Sequence, residues 1–257
     1  MEESFEAKSE FEMDYKYLIE KILEIGSLEE NRTKSKAITL FGEELIINMS
    51  NGLLPIVTGK KIFFDKAYHE YFWILSGCTT IHYLNNHNIN WWDQYADSNG
   101  YLGKTYGYQL RNYNGEFDQL FYVERALRVG SRRAHITLWN PCELDETALP
   151  CCYTGLTFVI TENKLNLAID FRSSDAFLGL PYDIIFGALF LKDMASTLNL
   201  NTGFLKLNLN NVHIYENNVD QAKQYLKTKT YKLPCFPKGN KIKNYNHGPY
   251  IKAPLNN

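Results

Sequence analysis

Two adjacent thiols, Cys151 and Cys152 in "ALPCCYTGL", are the residues best suited to nucleophilic chemistry in this chain. A buried cysteine is ordinarily a small hydrophobe. A nucleophilic one needs its thiolate favoured, usually by positive charge close by. Neighbours on a strand face opposite ways, so only one of the two thiols lines any given site. Arg132 and Arg133 stand in tandem in "GSRRAHI", and Arg172 follows in "DFRSSD". Such arginines are either a solvated pair or a bidentate phosphate clamp. Glu70 sits in the apolar run "YHEYFWIL", where a carboxyl is expensive to bury unless it handles protons or hydrogen bonds. His213 is either a packed core histidine or a hydrogen-bonding one. Asp183 closes "FRSSDAFLGLPYDI" ahead of an apolar run, where local sequence makes it a helix N-cap.

Several elements must hold these residues in place. "DYKYLIEKILEIG" has helical spacing and a glycine stop, and "SLEENRTKSK" reads as a charged loop. "AITLFGEELIINM" is a strand, "KAYHEYFWILSG" a buried helix ending at Gly77, and "FDQLFYVERALRVG" an amphipathic helix closed by glycine. "AHITLW" is a short strand, and "YTGLTFVITENKLNLAIDFRSS" a hairpin turning at "TENK". A helix from about Asp183, the strand "FLKLNLNNVHIY" and the helix "NNVDQAKQYL" complete the pattern. No regular βαβ rhythm appears, so the fold class is α+β. A single domain over residues 1–257 is expected, with about residues 1–12 disordered.

The formal net charge of -2 supplies no basic field, so nucleic acid is not an expected partner and any anion must be held by local arginines. No stretch reaches the length of a membrane span, and the acidic start lacks an apolar signal region. Five cysteines without a C-x-x-C pair point to reduced thiols. A cytoplasmic protein without a metal site is expected.

"NRT", "HEYFWILSG", "WWDQYAD", "NGYLGKTYGYQLR", "SRR", "ALPCCY", "FRSSDAFLGLPYDI", "HIYENN" and "YIKAP" occur in the order and spacing of the thymidylate synthases. The chain resembles that family from about Asn31 to its end. The resemblance implies an α+β fold with a large twisted mixed sheet and flanking helices, and a homodimer formed through that sheet. It implies that a cysteine adds to C6 of a pyrimidine nucleotide, and that C5 then attacks the one-carbon unit of 5,10-methylenetetrahydrofolate. Cys152 matches the nucleophile, with Cys151 in place of the preceding proline. Arg32, Arg132, Arg133 and Arg172 match the phosphate-binding arginines, the tandem pair reaching across from the partner subunit. Ser173 matches the serine beside the phosphate, and His213 and Tyr215 the pair on the sugar 3′-hydroxyl. Glu70 matches the glutamate that organises proton transfer, and Tyr106 the tyrosine near the C5 proton. Trp92 and Asp175 match residues that contact the folate.

The departures from the family pattern cluster on the base. Asp183 occupies the position of the asparagine that reads uracil, and a carboxylate offers acceptors only. Cytosine, with its N4 amino group and a protonated N3, suits it better, and the exchange resembles the cytidylate hydroxymethylases. Tyr153 and Thr157 replace a histidine and a glutamine of the hydrogen-bond shell around that asparagine, and the tail "IKAPLNN" ends in polar residues. The expected activity is C5 hydroxymethylation of dCMP or CMP. Reductive methylation of cytidylate or dUMP, and a catalytically silent nucleotide- or RNA-binding regulator, are the alternatives.

Overall fold

The computed structural model describes residues 10–30 and 35–255. Arg32 and the Asn256–Asn257 end lie outside them. The elements in order are helix α1 (Glu10–Ile25), strands β1 (Ser27–Glu29) and β2 (Ala37–Asn48), and helices α2 (Phe64–Leu75), α3 (His82–Asn85), α4 (Tyr106–Arg111) and α5 (Gln119–Arg128). Strands β3 (His135–Thr137), β4 (Tyr153–Thr161), β5 (Lys164–Phe171) and β6 (Ser174–Asp175) follow. Helix α6 (Leu180–Thr197), strand β7 (Asn201–Tyr215) and helix α7 (Val219–Leu226) complete the described elements.

The strands form one mixed sheet in the order β1-β2-β7-β5-β4-β3, with β6 also paired to β7. Among the described strands only the β5–β7 and β6–β7 contacts are parallel. This is the expected α+β class. Alternation along β5 turns Leu165, Leu167, Ile169 and Phe171 into the core. Helix α6 lies over that face and is apolar on nearly every side, as a helix packed all round must be. Gly187 permits the close approach. A Cβ there would stand 2.9 Å from Ile169 Cδ1 and 3.0 Å from Leu205 Cδ1. The "TENK" turn forms as expected, with Glu162 and Asn163 both at positive φ, the conformation a two-residue hairpin loop requires.

Three local expectations are corrected, and two short helices are added. The charged loop after α1 contains strand β1, which borrows its hydrogen bonds from the edge of β2. Helix α1 begins at Glu10, ahead of the expected start at "DYKYLIEKILEIG", because Glu12 is fully buried and accepts from Thr58 N at 2.9 Å and Gly59 N at 2.7 Å. Helices α3 and α4 are too short to show a period. Helix α6 starts earlier than expected: Gly179 is its N-cap and Pro181 sits in its opening positions, where a fixed φ favours helix initiation. Asp183 is therefore not the cap. Its amide already donates to Gly179 O at 3.1 Å, within the first helical turn.

Candidate active site

Cys152 lies immediately before β4, where the chain enters the sheet from the loop after Pro141–Glu146. Cys151 is 3% exposed and turned into the core, whereas Cys152 keeps partial exposure, so the two thiols face opposite ways. Tyr106 opens α4 and brings its hydroxyl to Cys152, accepting from the backbone N at 2.6 Å. Arg172 follows β5 and wraps the cysteine segment. Its amide donates to Cys152 O at 3.0 Å, its Nε to Cys151 O at 2.8 Å and one terminal nitrogen to Pro150 O at 2.7 Å. Burial pushes the Cys152 thiol up, outweighing the opposing pull of the Arg172 charge and the Tyr106 hydroxyl. The expectation that clustered arginines favour the thiolate is thus met in sign by Arg172 alone, and burial overrides it within one chain.

Glu70 projects from α2 into an aromatic surround. Trp91 Nε1 and Trp92 Nε1 both donate to its Oε1, at 2.8 Å and 2.6 Å. Burial raises the Glu70 carboxyl, and the two indole bonds only partly restrain it. Trp92 is 7% exposed and meets Tyr106 edge-on, with ring centroids 6.0 Å apart. Glu70, Trp92, Tyr106 and Cys152 therefore form one connected run.

The break between β5 and β6 supplies the other wall. Asp175 in β6 stands in register with His213 of β7, and its Oδ1 accepts from the amides of Phe177 (2.9 Å) and Leu178 (3.0 Å). That turn leads to Gly179 and Asp183. A Cβ on Gly179 would lie 3.7 Å from Asp175 Cβ and 3.8 Å from Asp183 Oδ2, so both side chains border one backbone position. His213 meets Asn211 Oδ1 at 3.0 Å and sits edge-on to Tyr215, at 4.9 Å between centroids. Burial lowers its pKa and keeps it neutral. Ser173 sits half-buried between Arg172 and β6.

The Asp183 side chain accepts no hydrogen bond from any described residue. Burial first, then the charges of Glu70 and Asp175, hold its carboxyl well above the usual carboxylate range. Tyr153 is also buried here, stacked on Phe186 at 5.0 Å and tilted against Tyr106 at 4.5 Å. The expectation that Tyr153 and Thr157 share the base pocket is corrected. An irregularity between Tyr153 and Gly155 resets the alternation of β4. Thr157 then meets His135 Nδ1 at 2.9 Å, away from the buried Tyr153. Arg132 and Arg133 are exposed and make no side-chain hydrogen bond or ion pair with any described residue.

Two participants escaped sequence reading. Trp91 shares Glu70 with Trp92, and the adjacent "WW" was the available signal. Lys60 is 5% exposed; its ammonium donates to Phe177 O and lies 3.6 Å from the Phe177 ring centroid. Burial lowers its pKa to about 7.

The family model for thymidylate synthase matches residues 13–256. The chain belongs to the thymidylate synthase family. Its relatives include the thymidylate synthases of three Francisella tularensis subsp. holarctica strains: FTNF002-00 / FTA, OSU18 and LVS. Each is 34% identical over 271 residues, covering 94% of this chain and 98% of the relative. Membership in the thymidylate synthase family brings its coarse activity, folate-dependent one-carbon transfer to a pyrimidine nucleotide. Among the described residues no helix is long and apolar enough to cross a membrane, and no group of three or more metal-ligating side chains occurs.

Proposed function

We propose that this chain is a cytidylate C5 hydroxymethylase that uses 5,10-methylenetetrahydrofolate, with Cys152 adding to C6 of dCMP or CMP. The observation that carries the reading is Asp183, a half-buried carboxyl without a hydrogen-bond partner among the described residues, beside Cys152. An oxygen of that carboxyl accepts from the N4 amino group of cytosine, and a proton shared with N3 makes the second bond. A shared proton at N3 draws electrons from the ring and eases thiol addition at C6.

The remaining roles follow the chemistry of each group. Arg172 keeps one guanidinium nitrogen outside its contacts to Cys151 and Pro150, and that nitrogen is available to phosphate beside Ser173. The free exposure of Arg132 and Arg133 supports their crossing to a partner subunit's phosphate site in a homodimer. Arg32 is proposed for the same anion. Neutral His213 and Tyr215 address the sugar. Glu70, raised by burial and held by two indoles, relays protons near the base, and Tyr106 stands by C5.

The residues present fit a folate. Trp92 offers an apolar indole face, and Asp175 keeps Oδ2 outside its bonds to Phe177 and Leu178 for a ring nitrogen donor. When bound, the folate supplies the one-carbon unit. A second reading, reductive methylation, draws support from the buried Trp92, which would shield a reactive base from water. Mass spectrometry of nucleotides incubated with methylenetetrahydrofolate separates the two. Hydroxymethylcytidylate without dihydrofolate absorbance is expected. A methylated product with equal dihydrofolate overturns the hydroxymethylase reading.

A further inference from the structure

We propose that Tyr15, together with Lys60, is a positioning residue for Asp175, acting through the backbone of the turn that follows β6. The inference rests on the folate role given to Asp175 under the proposed function, but on neither the base nor the product.

The turn from Asp175 to Gly179 divides its backbone polar groups between two sets of partners. Its amides close on Asp175 itself. Phe177 N and Leu178 N donate to Asp175 Oδ1 at 2.9 Å and 3.0 Å, and Gly179 N donates to Asp175 O at 3.2 Å. Its first two carbonyls are taken by other elements. Ala176 O accepts from the Tyr15 hydroxyl of α1 at 2.6 Å, and Phe177 O accepts from the Lys60 ammonium. Tyr15, Ala176 and Phe177 are all 0% exposed, so bulk water does not replace either donor.

Both donors are themselves fixed. The Tyr15 ring lies 5.6 Å from that of Tyr225, whose hydroxyl donates to Glu12 at 2.8 Å. Glu12 also accepts from Thr58 N and Gly59 N, the residues just before Lys60. The Lys60 ammonium sits 3.6 Å from the Phe177 ring centroid, a cation–π contact that ties it to the turn a second time. The turn therefore rests on a buried frame built from α1, residues 58–60 and α7.

The other site residues have separate supports. His213 stands opposite Thr39 within the long antiparallel pairing of β7 with β2. Asp183 belongs to α6, which packs closely at Gly187 against Ile169 and Leu205. Cys152 is held by Tyr106 and Arg172. The Asp175 side chain alone is oriented by the turn. Its Oδ1 is committed to Phe177 and Leu178, so a shift of those amides swings Oδ2, the atom left for the folate. Loss of the Tyr15 hydroxyl leaves the Ala176 carbonyl buried without a partner, and the turn moves to relieve it. A small displacement of a positioning group is enough to weaken binding.

The test is steady-state kinetics of the full enzyme with C5-tritiated dCMP and dUMP. Release of tritium from C5 is common to hydroxymethyl and methyl products. Tyr15→Phe and Lys60→Met should each raise KM for methylenetetrahydrofolate roughly tenfold. Their kcat and nucleotide Kd should stay within about twofold of wild type. Asp175→Ala should raise the same KM at least as far, and adding Tyr15→Phe to it should raise KM no further. Equilibrium binding of tetrahydrofolate to the enzyme with nucleotide present should give the same ratios without turnover. A Tyr15 that served stability alone would instead weaken nucleotide binding and folate binding together. The proposal is overturned by that pattern, by an unchanged KM in Tyr15→Phe, or by a Tyr15→Phe effect that persists in full without Asp175. An Asp175→Ala enzyme with wild-type KM overturns both the folate role of Asp175 and this proposal. A rise in Asp175→Ala beside none in Tyr15→Phe overturns only the proposal.

Discussion

Trp91 and Trp92, neighbours in sequence, place their indole nitrogens on the same oxygen of Glu70, at 2.8 Å and 2.6 Å. Both bonds favour the ionised carboxyl, whereas burial favours the neutral one. Trp91→Phe removes one donor and should raise the Glu70 pKa further. The acid limb of the rate profile then moves to higher pH by the same amount. Glu70→Gln should lower kcat roughly 10²–10⁴-fold, the usual range for a lost proton relay. An unchanged acid limb in Trp91→Phe would separate Glu70 from the pH dependence.

The two thiols should behave differently under substitution. Cys152→Ser should abolish covalent nucleotide attachment, read by mass spectrometry of the intact protein, while binding persists. Cys151→Ala removes a buried sulfur and should cost about 1 kcal/mol of stability while keeping activity. Equal loss of turnover in both variants would remove the support for assigning the nucleophile to Cys152.

Asp183→Asn should change stability in a pH-dependent way. The folded-state pKa of Asp183 lies above its unfolded value. The contribution of its neutral form is therefore fully present below about pH 4, the unfolded value, and is lost as pH rises through the folded pKa. The amide has no such loss. Denaturant melts should show wild type and variant alike near pH 4, and the variant the more stable of the two at pH 8. A variant less stable than wild type at both pH values would contradict the burial of an uncompensated acid.

Glu12 should matter far from the reacting groups. Its carboxylate accepts from Thr58 N, Gly59 N and Tyr225 Oη, the last at 2.8 Å. Glu12→Ala leaves those donors buried and unpaired, at a cost of roughly 3 kcal/mol or more. Urea unfolding midpoints measure this directly, and a loss under roughly 1 kcal/mol would show that water replaces the carboxylate.

Legibility in the sequence followed the range of the signal. The hairpin was readable because "TENK" meets a local backbone requirement, and the stops at Gly77 and Gly130 because both residues take positive φ. Helix α6 was readable as a helix but not its start, since Gly179 and Pro181 act before the apolar run begins. The site was readable as a set of residue types, but not in its electrostatics. That Arg172 is engaged by carbonyls, that Tyr153 and Thr157 part company across a strand irregularity, and that Asp183 faces two other carboxyls all depend on long-range packing. Period and propensity carry no information about such neighbours.

The long pairing of β2 with β7 also has a consequence during synthesis. Ala37 finds its partner in Tyr215 and Asn48 in Phe204, so β2 leaves the ribosome long before the strand that completes it. Tyr15 likewise waits for the Ala176 carbonyl, to which it donates at 2.6 Å. Through this delay β2 is an open template for any other extended chain, and non-local pairing of this kind folds slowly. Glu43 and Glu44 lie in the middle of β2; Lys21 of α1, made before β2, pairs with Glu43 at 2.7 Å, and Lys206 of β7 covers Glu44 only later, at 2.7 Å. In the nascent chain Glu44, still without its lysine, repels the same residue of an incoming copy of the strand. The charge that ends in an ordinary surface ion pair with Lys206 thus disfavours aggregation before the fold exists.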